Sequence, residues 1–393
     1  MLIIFYYYKL LISIILILLF VSLILSEKKK NLINEKLEWD ESYDYIREKK
    51  SILESPKYRW ELPINYTIKD NLDELEILKA LNDIEKKTCI RFNRVNQLIG
   101  TGLEYINGSE CMSIVGKSKR LIPQNITIGP DCNKKGGIQH ETAHALGLLH
   151  EMSRKDRDRY LEILEENISP EVYVNFKIFL KYKTKNYGVN FNYGSCMLYD
   201  RFAGSKNDKP ATKAKKPYYS KTMGQLYQLS FTDVKILNKH YCKNKCKNKN
   251  KCKNNGYQNP NNCSVCLCPR FFNGTSCEKI WTFQSNCGKL LLKSEYKFKT
   301  LRISGLKRCL YKIESPKKKK IKLHIKYSKL IPGEQCNHYT GVEIKYLNDK
   351  SVSGALFCGN LKNAVIKSSG NIVYLLYVGL RKSHKFVMNY KTI

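Results

Sequence analysis

The chain has 393 residues, 42% of them hydrophobic, so it is long enough for more than one domain and too apolar for a disordered protein. Its 69 basic and 35 acidic side chains give a net charge of +34, which would suit nucleic acid, anionic lipid or acidic polysaccharide as a partner. The lysines are spread along nearly the whole chain beside Asn, Tyr and Ile, so a coding bias is the simpler reading and a nucleic-acid function is set aside. Fifteen cysteines, mostly in the C-terminal half, indicate disulfides and an oxidising compartment.

Residues 10–25 are apolar apart from Ser13 and Ser22 and follow Lys9, the form of a signal peptide (1–26) ending near Ser26. A retained anchor is the competing reading, since residues 1–25 are long enough to span a bilayer. Lys28, Lys29 and Lys30 would then sit on the exported side, against the positive-inside tendency, and cleavage is preferred. Residues 27–50 are polar and lack sustained periodicity, as a propeptide would. Arg47-Glu48-Lys49-Lys50 has the composition of a basic processing site, and cutting there would leave Ser51 as the new N-terminus. A solvated loop is the alternative for that run.

Residues 64–68 alternate as a strand should. Residues 71–87 read as a helix with Leu72, Leu75, Leu78, Leu81 and Ile84 as one buried stripe. Further short strands are expected at 89–92, 103–106, 112–115 and 126–128, giving a sheet packed on helices. Gly136 and Gly137 are read as the turn into the next helix, where His140 and His144 stand one turn apart on the same face. Gly147 can take positive φ and stop that helix, so that His150 completes a three-nitrogen set. Three protein ligands with a position left for water is the coordination of a catalytic zinc, whereas structural zinc is closed by four. Glu141, beside the first ligand, suits a general base. An amphipathic helix with stray histidines is the bland alternative, and Gly147 with His150 argues against it. Ser169-Pro170 then reads as a helix start, with Val172, Phe176, Phe179 and Leu180 on its packed face.

Residues 140–151, continuing through Arg154, Asp156, Arg157 and Asp158, carry a resemblance. With Trp60, Thr88-Cys89-Ile90-Arg91-Phe92, Cys111 and Cys132, the chain resembles the astacin family of zinc metalloproteases, within the metzincins. The resemblance implies an α+β metzincin catalytic domain at 51–242, a twisted sheet plus a zinc-binding helix, with one Zn2+. It implies a secreted, extracellular endopeptidase made as a zymogen, with extracellular proteins as substrates. His140, His144 and His150 would hold the zinc, Glu141 would be the general base, and Asp40 or Asp44 would cap the metal in the latent form. Tyr193-Gly194-Ser195-Cys196-Met197-Leu198-Tyr199 resembles the family's Met-turn. Met197 would lie under the zinc as an apolar floor, and Tyr199 would offer its phenol to the metal and the reacting carbonyl. The amine freed at Ser51 would reach Glu151. Two departures stand out: Leu198 occupies a position where the family usually has histidine, and Leu226 one where many members carry an arginine that favours acidic substrates. By the same resemblance the disulfides of this domain are Cys89–Cys242 and Cys111–Cys132.

Cys246, Cys252, Cys263, Cys266, Cys268 and Cys277 crowd a segment too small to hold a core unaided. Their spacing alone permits many pairings, and zinc binding by the thiols is the alternative. With Asn255-Gly256-Tyr257 and Cys268-Pro269 they resemble an EGF-like module at 243–279, which implies Cys246–Cys263, Cys252–Cys266 and Cys268–Cys277. From Trp281 the pattern alternates: Ile321, Leu323, Ile325 and Tyr327 face one way, Lys322, His324 and Lys326 the other. With Cys287, Cys309, Cys336 and Cys358 this part resembles an all-β CUB sandwich at 280–393, which implies Cys287–Cys309 and Cys336–Cys358 and leaves Cys196 as a free buried thiol. No calcium site is assigned, because the acidic residue many such modules use is missing around Thr340-Gly341. Pro316 and Lys317, Lys318, Lys319 and Lys320 read as a solvated loop, with a heparin-like contact as the alternative. Asn65, Asn107, Asn125, Asn167, Asn262 and Asn273 are glycosylation acceptors by sequence. Matrix proteins or acidic polysaccharide are the partners expected of the C-terminal modules, with no nucleic acid and no stable membrane association. The second reading is a matrix- or partner-binding protein whose protease domain is a scaffold.

Overall fold

Buried apolar alternation builds a five-stranded sheet in the first half of the chain, which is seen here in a computed structural model. The structure describes residues 51–69, 71–118, 121–178, 184–247, 251–283 and 286–393. The signal peptide, the propeptide with Asp40 and Asp44, the run ending at Lys50, and Phe179 and Leu180 lie outside the described residues. The strands are β1 (Ile64–Ile68), β2 (Phe92–Arg94), β3 (Leu103–Asn107), β4 (Met112–Ser113) and β5 (Gln124–Ile128), in spatial order β2-β1-β3-β5-β4. All pairings are parallel except the edge pair β4–β5. Ile64, Tyr66, Leu103, Tyr105, Ile126 and Ile128 pack on one core with residues of α1 (Glu74–Lys87) and α2 (Lys135–Ala145).

Several elements differ from the sequence pattern for identifiable reasons. The α1 stripe expected at every third residue cannot hold, because three residues advance 300° and each step drifts about 60° around the helix. The face that packs is Ile77, Ala80, Leu81 and Ile84, while Leu75 is 60% exposed. Of 89–92 only Phe92 enters a strand, since the Ile90 N–H is taken by the Thr88 hydroxyl and Cys89 by its disulfide. Of 112–115 only Met112 and Ser113 do so, before Gly116 turns the chain at φ +79°. The helix expected after Pro170 is one 3-10 turn, Tyr173–Phe176, whose last carbonyl is held by the Arg157 guanidinium. Among the described residues no helix is long and apolar enough to cross a membrane.

A third helix, α3 (Phe231–Tyr241), starts on a reciprocal cap between Ser230 and Asp233 and ends at Cys242, which bonds Cys89. The three pairs expected in the small cysteine-rich segment are present. Its Asn261 amide donates to the Glu85 and Lys86 carbonyls, closing the C-terminal end of α1.

The C-terminal part is a two-sheet sandwich. One sheet has the order β6-β8-β13-β10-β11, from β6 (Leu291–Lys293), β8 (Arg308–Glu314), β10 (Gly341–Lys345), β11 (Ala355–Phe357) and β13 (Ile372–Val378). The other has the order β7-β14-β9-β12, from β7 (Lys299–Ser304), β9 (Ile321–Lys329), β12 (Asn360–Lys367) and β14 (Lys385–Thr392). Cys287–Cys309 and Cys336–Cys358 form as expected. Tyr327 does not share a face with Ile321, Leu323 and Ile325: the register shifts between Ile325 and Tyr327, and this bulge carries Tyr327 to the solvent side. Asn167 is also unavailable as a glycan acceptor in the folded state, being buried with its amide donating to the Pro210 carbonyl.

The three parts are packed together. Phe271 and Phe272 of the cysteine-rich segment lie against Leu310, Tyr374 and Leu376 of the five-stranded sheet. Across that junction Arg270 pairs with the buried Glu343 at 3.0 Å, and His338 bonds the same oxygen at 3.2 Å. Burial raises the Glu343 carboxyl, but Arg270 and His338 outweigh it and hold the group well below the usual carboxylate range. Stability from a depressed carboxylate is present above its unfolded value, near 4.5, and is lost as pH falls through the folded value. Glu343→Gln is therefore expected to cost about 3 kcal/mol at pH 7 in urea unfolding of the whole chain, with the gap to wild type closing as the pH drops below about 4.

Candidate metal centre

Every residue of α2 from Gly136 to Ala145 is buried, so the helix can carry polar chemistry only if each group is partnered. Gly136 and Gly137 are not the turn before the helix but its first turn. A Cβ on Gly136 would lie 1.8 Å from the Leu226 carbonyl, so only glycine lets the 225–229 segment pass this close. The Leu226 side chain itself is 45% exposed. Gln139 donates to the Ala80 carbonyl and Asp83 and accepts from Leu229 N–H, tying α2 to α1 and to that segment. At the other end Gly147 has φ +98°; its N–H bonds the His144 carbonyl and the Leu148 N–H bonds the Ala143 carbonyl, a Schellman stop. The remaining last-turn carbonyls accept from the Trp60 indole at 2.7 Å and the Tyr241 hydroxyl at 3.0 Å.

The stop turns His150 back onto His140 and His144. The His144 Nε2 lies 3.1 Å from Nε2 of His140 and 3.1 Å from Nε2 of His150. His140 Nδ1 donates to the Cys196 carbonyl and His144 Nδ1 to the Leu148 carbonyl, both at 2.8 Å. With their protons on Nδ1, the two Nε2 atoms are both acceptors and cannot bond each other. A cation between them resolves the contact: zinc–nitrogen bonds of about 2.0–2.1 Å set tetrahedral ligands about 3.3 Å apart. Among the described residues this is the one His/Cys/Asp/Glu group close enough to share an ion. The donor set therefore fits zinc, with backbone carbonyls orienting two of the rings. Burial lowers the pKa of all three imidazoles, that of His144 to about 3, which keeps the rings neutral and ready to ligate.

Two further groups belong to the site. Burial pushes the Glu141 carboxyl up to about 8. The Tyr199 ring lies 4.6 Å from that of His150, and burial, then nearby Glu141, push its phenol up to about 12, so it stays a donor near neutrality. Met197 is buried in the same core as α2, and its carbonyl accepts from Glu151 N–H at 2.7 Å. Leu198, which stands where the family usually has histidine, packs into the apolar cluster with Met152, Leu161 and Phe176. Glu151 accepts from the fully buried Arg154 and from the Asn192 N–H. Cys196 is free and buried, as expected.

Asp233 and Asn192 are the residues that the sequence reading missed. Asp233 accepts from the Ser195 hydroxyl and the Cys196 N–H, so the start of α3 pins the residue whose carbonyl orients His140. Asn192 accepts from Gly194 N–H and from Ser353 N–H of the sandwich, and donates to Ser230 and Thr232. The pattern Ser230-x-x-Asp233 is a visible capping signal that could have marked the first. The Gly194 contact of Asn192 is local, but its bonds to Ser230, Thr232 and Ser353 join residues distant in sequence, and nothing local marks those.

The model of the Astacin peptidase family matches residues 52–242, and the CUB domain model matches residues 287–390. Zinc metalloproteinase nas-34 of Caenorhabditis elegans is 32% identical over 353 residues, covering 88% of this chain and 58% of the relative. Zinc metalloproteinase nas-23 of the same organism is 33% identical over 388 residues, covering 93% of this chain and 70% of the relative. Zinc metalloproteinase nas-36 of Brugia malayi is 35% identical over 315 residues, covering 76% of this chain and 53% of the relative. Among solved structures, High choriolytic enzyme 1, a hatching enzyme zinc-protease from Oryzias latipes, is 31% identical and superposes with a TM-score of 0.42, covering 47% of this chain and 94% of that one.

Asp233→Asn should leave the chain folded but weaken zinc about 10- to 100-fold, the usual cost of disturbing a group that orients a ligand, in competition with a chelating dye. Elemental analysis should give one zinc per wild-type chain.

Proposed function

The chain belongs to the astacin family of peptidases, and on that premise we propose that it is a secreted zinc-dependent endopeptidase, made as a zymogen, that cuts extracellular proteins. The observation that carries this reading is the convergence of His140, His144 and His150 on one point beside Glu141 and Tyr199. When bound, zinc supplies a Lewis acid that polarises a carbonyl and lowers the pKa of water from roughly 15.7 to about 7. Glu141 is the base: its carboxylate takes the proton of the attacking water and hands it to the leaving amine. Burial pushes the Glu141 carboxyl up to about 8, which raises its affinity for the proton that a base must take from water. Tyr199 remains protonated and donates to the oxygen on which charge develops as the peptide carbonyl is attacked.

The surroundings of Ser51 support processing at Lys50. Ser51 is buried, its carbonyl accepts from Leu149 N–H at 3.0 Å, and Ile52 bridges Leu148 beside the α2 stop. A freed amine at Ser51 would start beside Leu148 and Leu149, its nitrogen 3.4 Å from the Lys185 carbonyl, and would have to leave that carbonyl to reach Glu151. The second reading, a binding protein on a protease scaffold, is favoured by the apolar burial of Leu198 in place of the family's histidine.

Glu141→Gln is expected to keep its zinc and lose about 10²- to 10⁴-fold in kcat on casein or gelatin. Tyr199→Phe should lose about 10²-fold, mostly in kcat. Chelator-sensitive hydrolysis by the processed wild type is the result expected; processed, zinc-loaded protein without hydrolysis would favour the scaffold reading. N-terminal sequencing of the processed, active form should begin at Ser51.

A further inference from the structure

The four-stranded sheet of the sandwich turns one face to the core and the other to solvent. Ile321, Leu323 and Ile325 of β9 and Phe386, Met388 and Tyr390 of β14 point inward. The outward positions pair in register. Lys322 stands opposite Lys367 of β12 on one side and opposite Lys391 of β14 on the other. Toward the far end of the same strands, Lys329 stands opposite Lys385. Neighbouring strands are about 4.8 Å apart, so these are rows of lysines rooted at strand spacing, one three abreast and one two abreast. Like charges directly opposite each other destabilise a sheet, and the ring contact of Lys391 over Phe298, at 4.9 Å, accounts for one lysine of the rows and not for the others.

No Asp or Glu occurs anywhere in β7, β9, β12 or β14. Among the described residues, the one ion pair made by a cation of these strands is Lys299 with Glu295, which flanks the end of the first row: Lys299 stands opposite Tyr390 and the Glu295 carbonyl accepts from Thr392 N–H. A coding bias explains many lysines, but not their register on one face without a carboxylate. The opposite side of the sandwich differs: its outer face is covered by Phe271 and Phe272 of the cysteine-rich segment. The fold thus buries one outer face and leaves the cationic one open.

We propose that this face binds an acidic polysaccharide, its sulfate or carboxylate groups lying along the lysine rows. Seven disulfides assign the chain to an oxidising compartment, which disfavours nucleic acid as the natural ligand. A membrane surface would call for an apolar wedge, whereas Tyr327 and Val365, each about 40% exposed, are spread singly between lysines. The ligand would tether the protein in an anionic matrix, and the inference does not rest on the peptidase reading.

The test is binding of the full chain to a heparin column and, in solution, to heparin over a salt series. Wild type should be retained, with affinity falling steeply as salt rises. Lys322→Gln with Lys367→Gln and Lys391→Gln should weaken binding on the order of tenfold or more and flatten the salt slope. The separate pair Lys329→Gln with Lys385→Gln should act in the same direction. A control with Lys86→Gln, Lys134→Gln and Lys206→Gln, all on the catalytic part, removes the same charge and should bind like wild type. Casein hydrolysis should be unchanged in every variant, and the row variants should melt no lower than wild type, since a repulsion has been removed. The proposal is overturned if wild type is not retained, if the control weakens as much as the row variants, or if the row variants bind heparin normally. It is equally overturned if they lose binding only to anionic phospholipid vesicles or to nucleic acid.

Discussion

The structure depends on burying a helix that carries three polar positions of the candidate site, His140, Glu141 and His144. α2 is enclosed from Gly136 to Ala145, and an enclosed helix must have its side chains and its open end partnered. The chain does this with distant groups: Trp60 and Tyr241 on the last carbonyls, Gln139 on α1, and Thr142 against Tyr105. The same enclosure keeps the imidazoles neutral and raises the Glu141 carboxyl, so the burial that demands so many partners also creates the chemistry.

The second constraint is orientation. Two of the three rings are fixed by backbone carbonyls, one inside the α2 stop and one on the turn at Cys196. The latter belongs to a hydrogen-bonded set that runs through Asp233 to the start of α3, and through Asn192 to Ser353 of the sandwich. The sandwich also bonds the 219–223 segment through Leu356 and Gln335. The C-terminal module is therefore built into the wall behind the metal centre, not strung beside it.

Much of this was legible in the sequence, for physical reasons that can be named. The ligands could be read because a metal imposes fixed spacing on a helix and a glycine on its stop. All seven disulfides follow the pairing implied by resemblance, and Cys196 is left over. What could not be read was set by contacts remote in sequence. The packing face of α1 depends on which side meets the sheet, and Gly136 owes its identity to the Leu226 carbonyl, far downstream. Tyr327 turned outward because a bulge, invisible in an alternating pattern, shifts the register. Asn192 joins partners from separate segments, and no local signal announces such a residue.

The central claim is a three-imidazole zinc site with one corner left for water, and X-ray absorption at the zinc edge of the processed chain tests it most directly. The account predicts three nitrogen neighbours at about 2.0–2.1 Å with imidazole scattering, the remaining neighbours being oxygen. A sulfur neighbour at about 2.3 Å, or a fourth imidazole, would contradict it.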